Sequence, residues 1–318
     1  MNLKHTAAAL LCAAMLLTSA ACANVDIPAP AQPSSSAVSS NDTSSSVPLA
    51  LAGVDAQNYP RVDGSTASLP LMAQVYSEVC GVSPLEAETL VEASGTGQVW
   101  RSLLEGNSAD LLMVYEASET LQAEIRDSGP KLEIDPLGRD GLVFLANAKN
   151  PLDSLTQEQL RDIYTGRITD WGELGGTAGP ISAFQRNEGS GSQTLFLSLL
   201  MKELPPMTPP TELVPGFMSS LIDGVATYDG SGGAIGFSVF YYANEMYANP
   251  NIKLLAVDGV EPSASAIGDG SYPLVNDFYV VIRADEPQDS PARLLRDWLL
   301  TNAGRLALEA AGYVPAAG

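Results

Sequence analysis

The stretch Arg186-Asn-Glu-Gly-Ser-Gly-Ser192 stands between an apolar run at 181–185 and a segment of helical periodicity at 193–202. This order predicts a strand, a tight turn and a helix. Glycine and serine in such a turn leave backbone N–H groups and hydroxyls at the positive end of the helix dipole, where anions bind. Arg186 adds a planar guanidinium that suits a tetrahedral oxyanion. The turn therefore indicates an α/β protein with an anion site.

Two further turns of small residues also precede helical segments. They read Gly64-Ser-Thr-Ala-Ser68 and Ser94-Gly-Thr-Gly97. Any one of these turns is most simply a helix N-cap. Three of them in one chain, one led by an arginine, favour a shared anion site instead.

Residues 1–22 have the pattern of an export signal. Lys4 precedes an apolar run at 7–17, and the small residues 19–21 lead to Cys22. The run is too short for a membrane span, which needs about 20 apolar residues. The small residues before Cys22 resemble the lipobox of bacterial lipoproteins, although Ser19 stands where leucine is usual. We expect a lipidated Cys22, with ordinary signal cleavage as the alternative, and no other membrane span.

The chain is strongly acidic, with 16 Lys and Arg against 37 Asp and Glu. The formal charge of −21 becomes −22 when Lys4 leaves with the signal. This charge disfavours nucleic acids and anionic membranes as partners, and only local donors can attract an anion. His5, the single histidine, also leaves with the signal, which excludes Ser-His-Asp and Cys-His catalysis and histidine zinc sites. We expect no enzyme activity, cofactor or metal.

Residues 23–58 are predicted to form a disordered tether. The run SSSAVSSNDTSSS at 34–46 has no apolar periodicity, and prolines precede it. Such a segment suits a domain held away from a membrane, and a linker with no spacing role fits the composition equally well.

From Tyr59 onward, short apolar runs alternate with amphipathic segments, as in an α/β protein with mostly parallel strands. Thr156 and Gln159 form a capping box that starts a helix ending at Tyr164. Other helices are predicted at 71–79, 99–104, 193–202 and 293–300, and strands at 111–115, 141–146, 181–185, 234–238, 252–257 and 277–283.

The turn at 186–194, together with Leu155–Gly166, Ile168-Thr-Asp-Trp171 and Gly232-Gly-Ala-Ile-Gly236, resembles the PstS-type phosphate-binding proteins of ABC importers. The resemblance covers about residues 59–314. It implies the two-lobed periplasmic-binding-protein type II fold, in which the chain crosses twice between lobes and a hinge closes them on a ligand in the cleft. We expect lobe I at 59–146 with 275–318, and lobe II at 147–274.

The resemblance also implies ligand groups on both lobes. Thr66 would support the first turn, and Glu188 would orient the Arg186 guanidinium. The expected ligand-binding residues are Ser68, Leu69, Ser94, Arg186, Ser190, Gly191 and Ser192.

Selectivity is expected to depend on the end of the strand at 110–115. The family places there an aspartate that accepts the proton carried by phosphate and absent from sulfate, so that sulfate is rejected. Tyr115 and Glu116 occupy this region here. Glu116 could supply the carboxylate, or Tyr115 its hydroxyl. The alternative for Glu116 is a solvated residue at the start of the next helix.

These features predict an exported, monomeric lipoprotein on the outer face of the cytoplasmic membrane. It would capture inorganic phosphate by hinge closure and deliver it to the permease of an ABC importer. Two alternatives stay open. One is a binder of another oxyanion or of a phosphorylated small molecule, and the other is a phosphate sensor or surface protein with the same fold.

Overall fold

The computed structural model describes residues 51–105, 109–227 and 233–316. The predicted signal, Cys22 and residues 23–50 of the predicted tether lie outside the described residues. The strands are β1 (Val62–Gly64), β2 (Leu111–Val114), β3 (Leu132–Asn147), β4 (Ser154–Leu155), β5 (Ser182–Ala183), β6 (Ala234–Val239), β7 (Ile252–Val257), β8 (Val275–Arg283) and β9 (Val314–Pro315). The α-helices are α1 (Leu69–Cys80), α2 (Pro84–Glu88), α3 (Thr96–Glu105), α4 (Glu119–Ser128), α5 (Gln157–Tyr164), α6 (Gly191–Leu195), α7 (Met218–Thr227), α8 (Ala264–Gly268), α9 (Pro291–Leu299) and α10 (Asn302–Ala310).

The sheet is mixed, so the prediction of mostly parallel strands is wrong. The pairs β1–β2, β4–β7 and β5–β6 are parallel. The strand β3 pairs antiparallel with β6, β7, β8 and β9, and β2 pairs antiparallel with β8. A long strand that returns beside later strands of opposite direction is not visible in the local apolar pattern, because that pattern reports burial and not direction.

The strand β3 changes partners along its length. Its residues 132–141 pair with β8, whereas residues 142–147 pair with β6 and β7. The exchange takes place between Gly141 and Leu142, where one continuous strand leaves one group of strands and enters another. The predicted lobe boundaries, at 146/147 and 274/275, stay a prediction.

Residues 51–58 belong to the folded domain, so the predicted tether is too long at its C-terminal end. The Val54 N–H donates to the Leu51 carbonyl, and the Asn58 side chain donates to the Gly53 carbonyl at 2.9 Å. Val54 is buried in the main core. Leu51 and Val54 are the only large apolar residues of this short stretch, and two such positions define no period, so the sequence pattern did not reveal this segment.

Strand β2 shows how the core is built on both faces of the sheet. All four of its residues are buried. Leu111 and Met113 pack into the main core with α1, whereas Leu112 and Val114 pack into a second cluster with α3. Side chains of a strand point alternately to opposite faces, and the continuous apolar run is therefore explained by helices on both sides.

The predicted helices at 71–79, 99–104, 156–164 and 293–300 correspond to α1, α3, α5 and α9. The capping box of α5 is confirmed, since Thr156 Oγ1 accepts from the Gln159 N–H and Gln159 Oε1 accepts from the Thr156 N–H. The helix predicted at 193–202 starts as α6 and continues as a π-helix over Phe196–Met201. Within the described ranges, none of the helices has both the length and the apolar character that a bilayer span requires.

Candidate functional site

A cavity of about 1000 Å³ lies where the three small-residue turns meet. Its lining includes Thr66 from the first turn, Ser94 from the second and Arg186 from the third. Thr66 and Arg186 are 120 positions apart in the chain, and the fold brings them to one place. The predicted residues Glu188, Ser190, Gly191, Ser192 and Tyr115 also line the cavity.

The first turn presents different residues from those predicted. A short 3-10 helix over Thr66–Ser68 precedes α1, and the Ser68 N–H donates to the Ser65 carbonyl at 2.8 Å. Ser65, Thr66 and Ala67 therefore line the cavity, whereas Ser68 and Leu69 are not among the lining residues. Ser68 is fully buried, and its hydroxyl has no hydrogen-bond partner. The additional 3-10 turn moves the accessible start of the helix toward the N-terminus. The predicted assignment of Ser68 and Leu69 as ligand-binding residues is therefore corrected.

The second turn is anchored by Asp63. The Ser94 hydroxyl donates to Asp63 Oδ2 at 2.7 Å, and the Ser94 N–H donates to Asp63 Oδ1 at 2.8 Å. Ser94 thus lines the cavity with its hydroxyl proton already used, and this arrangement contradicts its predicted role as an anion donor. Thr96 and Ser65 form a buried hydroxyl pair with their oxygens 2.7 Å apart, which joins the second turn to the first.

Arg186 is the central cation of the site. Its Nε donates to the Pro215 carbonyl at 3.1 Å, and its Nη2 donates to the Gly216 carbonyl at 3.0 Å. Its Nη1 is buried without a hydrogen-bond partner. In the part of the chain that the structure describes, no carboxylate forms an ion pair with Arg186.

Burial lowers the pKa of the Arg186 guanidinium to about 10, and the group stays charged at neutral pH. A buried cation without a counterion carries a large desolvation cost unless a ligand supplies the opposite charge. Two neutral carbonyls, and not Glu188, fix the guanidinium plane, so the predicted orienting role of Glu188 is wrong. Glu188 is exposed and lines the cavity.

The third turn supplies hydroxyl and backbone donors. The oxygens of Ser190 and Ser192 lie 3.1 Å apart, and both side chains are buried. Gly191 and Ser192 begin α6, and the first N–H groups of a helix have no partner inside the helix. Arg186, Ser190, Gly191 and Ser192 all line the same cavity, and their predicted roles as ligand groups stay a prediction.

The second and third turns touch each other. The Gly97 N–H donates to the Gly189 carbonyl at 3.1 Å. A methyl group at Gly97 would lie 2.6 Å from that carbonyl oxygen, and one at Gly191 would lie 2.4 Å from Thr96 Oγ1. Both glycines are needed for this close approach, which closes one side of the cavity.

The two residues proposed for selectivity have other partners. The Tyr115 hydroxyl donates to Asp140 Oδ2 at 2.7 Å, and burial raises the pKa of Tyr115 well above its ordinary value. Glu116 is not among the residues that line the cavity, and its Oε1 accepts from Gln122 Nε2 at 3.1 Å. Glu116 is half-buried and contacts the first turn of α4, whose N-cap Ser118 comes two residues after it in sequence, and its role in selectivity stays a prediction.

One wall of the cavity contains none of the residues predicted from the sequence. It is formed by Gly216, Phe217, Met218 and Ser219, together with Tyr242 from the segment after β6. Phe217 is 75% exposed, although it is a large apolar side chain. The Pro215-Gly216 pair marks a turn in the sequence, yet nothing local indicates that its carbonyls hold Arg186. Ser65 and Thr96 were inside recognised turns, and only their contacts distinguish them from their neighbours.

A metal site is not apparent in the described ranges, since no three His, Cys, Asp or Glu side chains come together there. The donors that line the cavity are the guanidinium groups of Arg186 and Arg101, hydroxyls, side-chain amides and backbone N–H groups. Such donors match an oxyanion.

Two curated proteins are similar to this chain in sequence. The phosphate-binding protein PstS of Bacillus subtilis (strain 168) is 26% identical over 216 residues, which are 67% of this chain and 66% of that protein, just under two thirds of its length. Protein SphX of Synechococcus elongatus is 24% identical over 269 residues, which are 80% of this chain and 76% of that protein.

Solved structures share the fold. A substrate-binding protein with bound phosphate from Clostridium perfringens has a TM-score of 0.63 and 22% identity, covering 80% of this chain and 98% of that one. An ABC-type phosphate transport receptor from Vibrio cholerae has a TM-score of 0.57 and 23% identity, with the same two coverages.

A family model described as a PBP superfamily domain matches residues 51–300, which is most of the chain and includes all three turns of the cavity. Its N-terminal limit coincides with the first described residue, in agreement with the packing of residues 51–58 against the domain. With its two-lobed α/β fold, the chain belongs to the PBP superfamily.

Proposed function

We propose that the protein is a PstS-type solute-binding protein that captures inorganic phosphate outside the cytoplasm and delivers it to an ABC importer. The observation that carries this proposal is Arg186, a partly buried cation whose Nη1 is buried without a hydrogen-bond partner and which has no acidic partner among the described residues. The names of the curated relatives that match over most of this chain, which include PstS proteins of several bacteria, support phosphate as the anion.

The proposed phosphate cage draws on both sides of the cavity. Arg186 Nη1, the Ser190 and Ser192 hydroxyls and the N–H groups at the start of α6 would bind from one side. Thr66 and Ala67, at the start of the 3-10 helix, would bind from the other. Hydrogen bonds to a charged group contribute about 1.5–3 kcal/mol each. Five of them would give micromolar or tighter binding, about −8 kcal/mol, after ordering and desolvation costs.

The protein would act by binding and closure, without chemical conversion of its ligand. The close contact of Gly97 with Gly189 joins the second turn to the third and would form as the cavity closes. Closure around the anion excludes water, and charge-assisted hydrogen bonds are stronger in such a site.

Isothermal titration calorimetry of the full chain, freed of bound ligand by partial unfolding and refolding, tests the proposed function. We expect a dissociation constant of about 1 µM or lower for phosphate and binding at least about 100-fold weaker for sulfate. Equal affinity for the two anions would point to a general oxyanion binder. The absence of a heat signal with phosphate would contradict the proposal.

We also propose that Cys22 anchors the mature protein by a lipid to the outer face of the cytoplasmic membrane, and that the protein works as a monomer. The lipobox-like residues before Cys22 support the anchor. We expect Cys22→Ala to move the protein from the membrane fraction to the soluble fraction, because a lipid chain contributes about 0.8 kcal/mol per buried methylene. Mass spectrometry of the N-terminal peptide is the direct measurement. An unmodified Cys22 in the membrane-associated protein would show that the anchor lies elsewhere.

A further inference from the structure

Asp140 is a buried carboxylate directly behind the cavity wall. It is 2% exposed and lies in β3, one residue before the strand changes partners. Its Oδ2 accepts from the Tyr115 hydroxyl at 2.7 Å, and its Oδ1 accepts from the N–H groups of Gly141 at 2.7 Å and Tyr241 at 3.1 Å. No cation pairs with it among the described residues.

Two of the residues that donate to Asp140 lie at the cavity or beside one of its lining residues. Tyr115 lines it from the end of β2. Tyr241 stands between Phe240 and Tyr242, in the segment that follows β6, and both Val239 and Tyr242 line the cavity. Asp140 is thus hydrogen-bonded to one lining residue, Tyr115, and to Tyr241, the chain neighbour of the lining residue Tyr242.

The groups around Asp140 do not cancel its charge. Tyr115, Tyr241 and Tyr313 face it from three different segments, and burial raises the pKa of each of these hydroxyls. They are therefore neutral in the physiological range. The neighbouring Arg139 is turned away, with its Nε 3.5 Å from Asp277 Oδ1 and its Nη1 donating to the Gly268 carbonyl.

We propose that Asp140 is a specificity-determining residue of the anion site, whose buried negative charge disfavours a doubly charged anion more strongly than a singly charged one. The inference rests on the proposed function of the cavity. It assigns to Asp140, acting from behind Tyr115, a charge selection that neither Glu116 nor the Tyr115 hydroxyl provides in this structure. Coulomb repulsion scales with the product of the charges, so the penalty for a dianion is twice that for a monoanion.

The protonation of Asp140 makes the effect measurable. Burial raises its pKa to about 6, although the hydrogen bonds from Tyr115 and the backbone oppose this. An anion bound nearby raises the pKa further, because it disfavours the ionised carboxylate. The stabilisation associated with this raised pKa is complete below the ordinary value of 3.8 and is lost as the pH rises through about 6. Asp140 is therefore neutral at about pH 5 and charged at about pH 8.

The test is calorimetric titration of phosphate into the full chain and into Asp140→Asn at about pH 5 and about pH 8. Comparing the two proteins at the same pH keeps the proportion of monoanion and dianion in free phosphate the same for both. We expect Asp140→Asn to bind phosphate about tenfold more tightly at the higher pH, and within about twofold of the unchanged protein at the lower pH. Asp140→Asn should also bind sulfate more tightly than the unchanged protein does at the higher pH.

Two further variants separate charge from structure. Tyr115→Phe removes the hydrogen bond from the Tyr115 hydroxyl to Asp140 but keeps the Asp140 carboxylate. Its affinity for phosphate should therefore still depend on pH. Glu116→Gln removes one negative charge outside the cavity lining, and should follow the unchanged protein at both pH values. Equal weakening by Asp140→Asn at both pH values would assign it a merely structural role and overturn the inference, as would no change at either. If the unchanged protein binds phosphate at neither pH, the proposed function fails as well.

Discussion

Arg186→Ala is expected to abolish measurable phosphate binding, with a loss of at least about 100-fold in affinity. The substitution removes the partly buried Arg186 guanidinium together with its buried, unpartnered Nη1. Loss of one partner of a buried charged hydrogen bond costs about 2–5 kcal/mol, which corresponds to this range. Calorimetric titration of phosphate provides the measurement.

Two variants make the result interpretable. Arg305→Gln also removes one positive charge, from an exposed pair with Glu309 on α10, and should leave phosphate affinity unchanged. Arg186→Lys keeps the charge but cannot reach both the Pro215 and Gly216 carbonyls with a rigid fork, and should bind with intermediate affinity. Thermal unfolding without ligand shows whether each variant folds. Unchanged phosphate affinity in folded Arg186→Ala would eliminate the proposed cage.

Gly97→Ala is expected to weaken phosphate binding by about 10- to 100-fold without reducing stability in the absence of ligand. The added methyl group would lie 2.6 Å from the Gly189 carbonyl oxygen and 3.1 Å from the Gly189 Cα. Both are backbone atoms, and they can give way only if the second and third turns separate. With the predicted lobe boundaries, these turns belong to different lobes, and the substitution would oppose closure.

Gly189→Ala is the matched control, because a methyl group there has no heavy atom within 4 Å. It should change phosphate affinity by no more than about threefold. Small-angle scattering with and without phosphate adds a direct readout, since Gly97→Ala should show a smaller compaction than the unchanged protein. Equal affinities for the two alanine variants would show that the contact between the turns does not contribute to binding.

Much of the site was predictable because anion binding needs a particular local chemistry. All seven residues of the stretch at 186–192 line the cavity, including the arginine, both glycines and both serines. Helices with capping signals, such as α5, were likewise predictable, because a cap is a contact between residues three positions apart.

Other residues were assigned incorrectly because a contact distant in sequence redirects them. Ser94 is used by Asp63, which precedes it by 31 positions, and the Tyr115 hydroxyl is used by Asp140, 25 positions later. Glu188 lies close to Arg186 in sequence, yet the carbonyls of Pro215 and Gly216 orient the guanidinium. The 3-10 helix before α1 moved the first turn from Ser68 and Leu69 to the residues before them.

The sequence by itself determined the α/β class, the three small-residue turns that meet at the cavity and the family resemblance, because these depend on periodicity and on short-range hydrogen bonding. Only the tertiary structure decided the antiparallel course of β3, the carbonyl clamp on Arg186 and the buried position of Asp140 behind the cavity wall. Strand direction and the partners of a buried charge depend on groups brought together from distant parts of the chain. Local patterns carry no information about such groups.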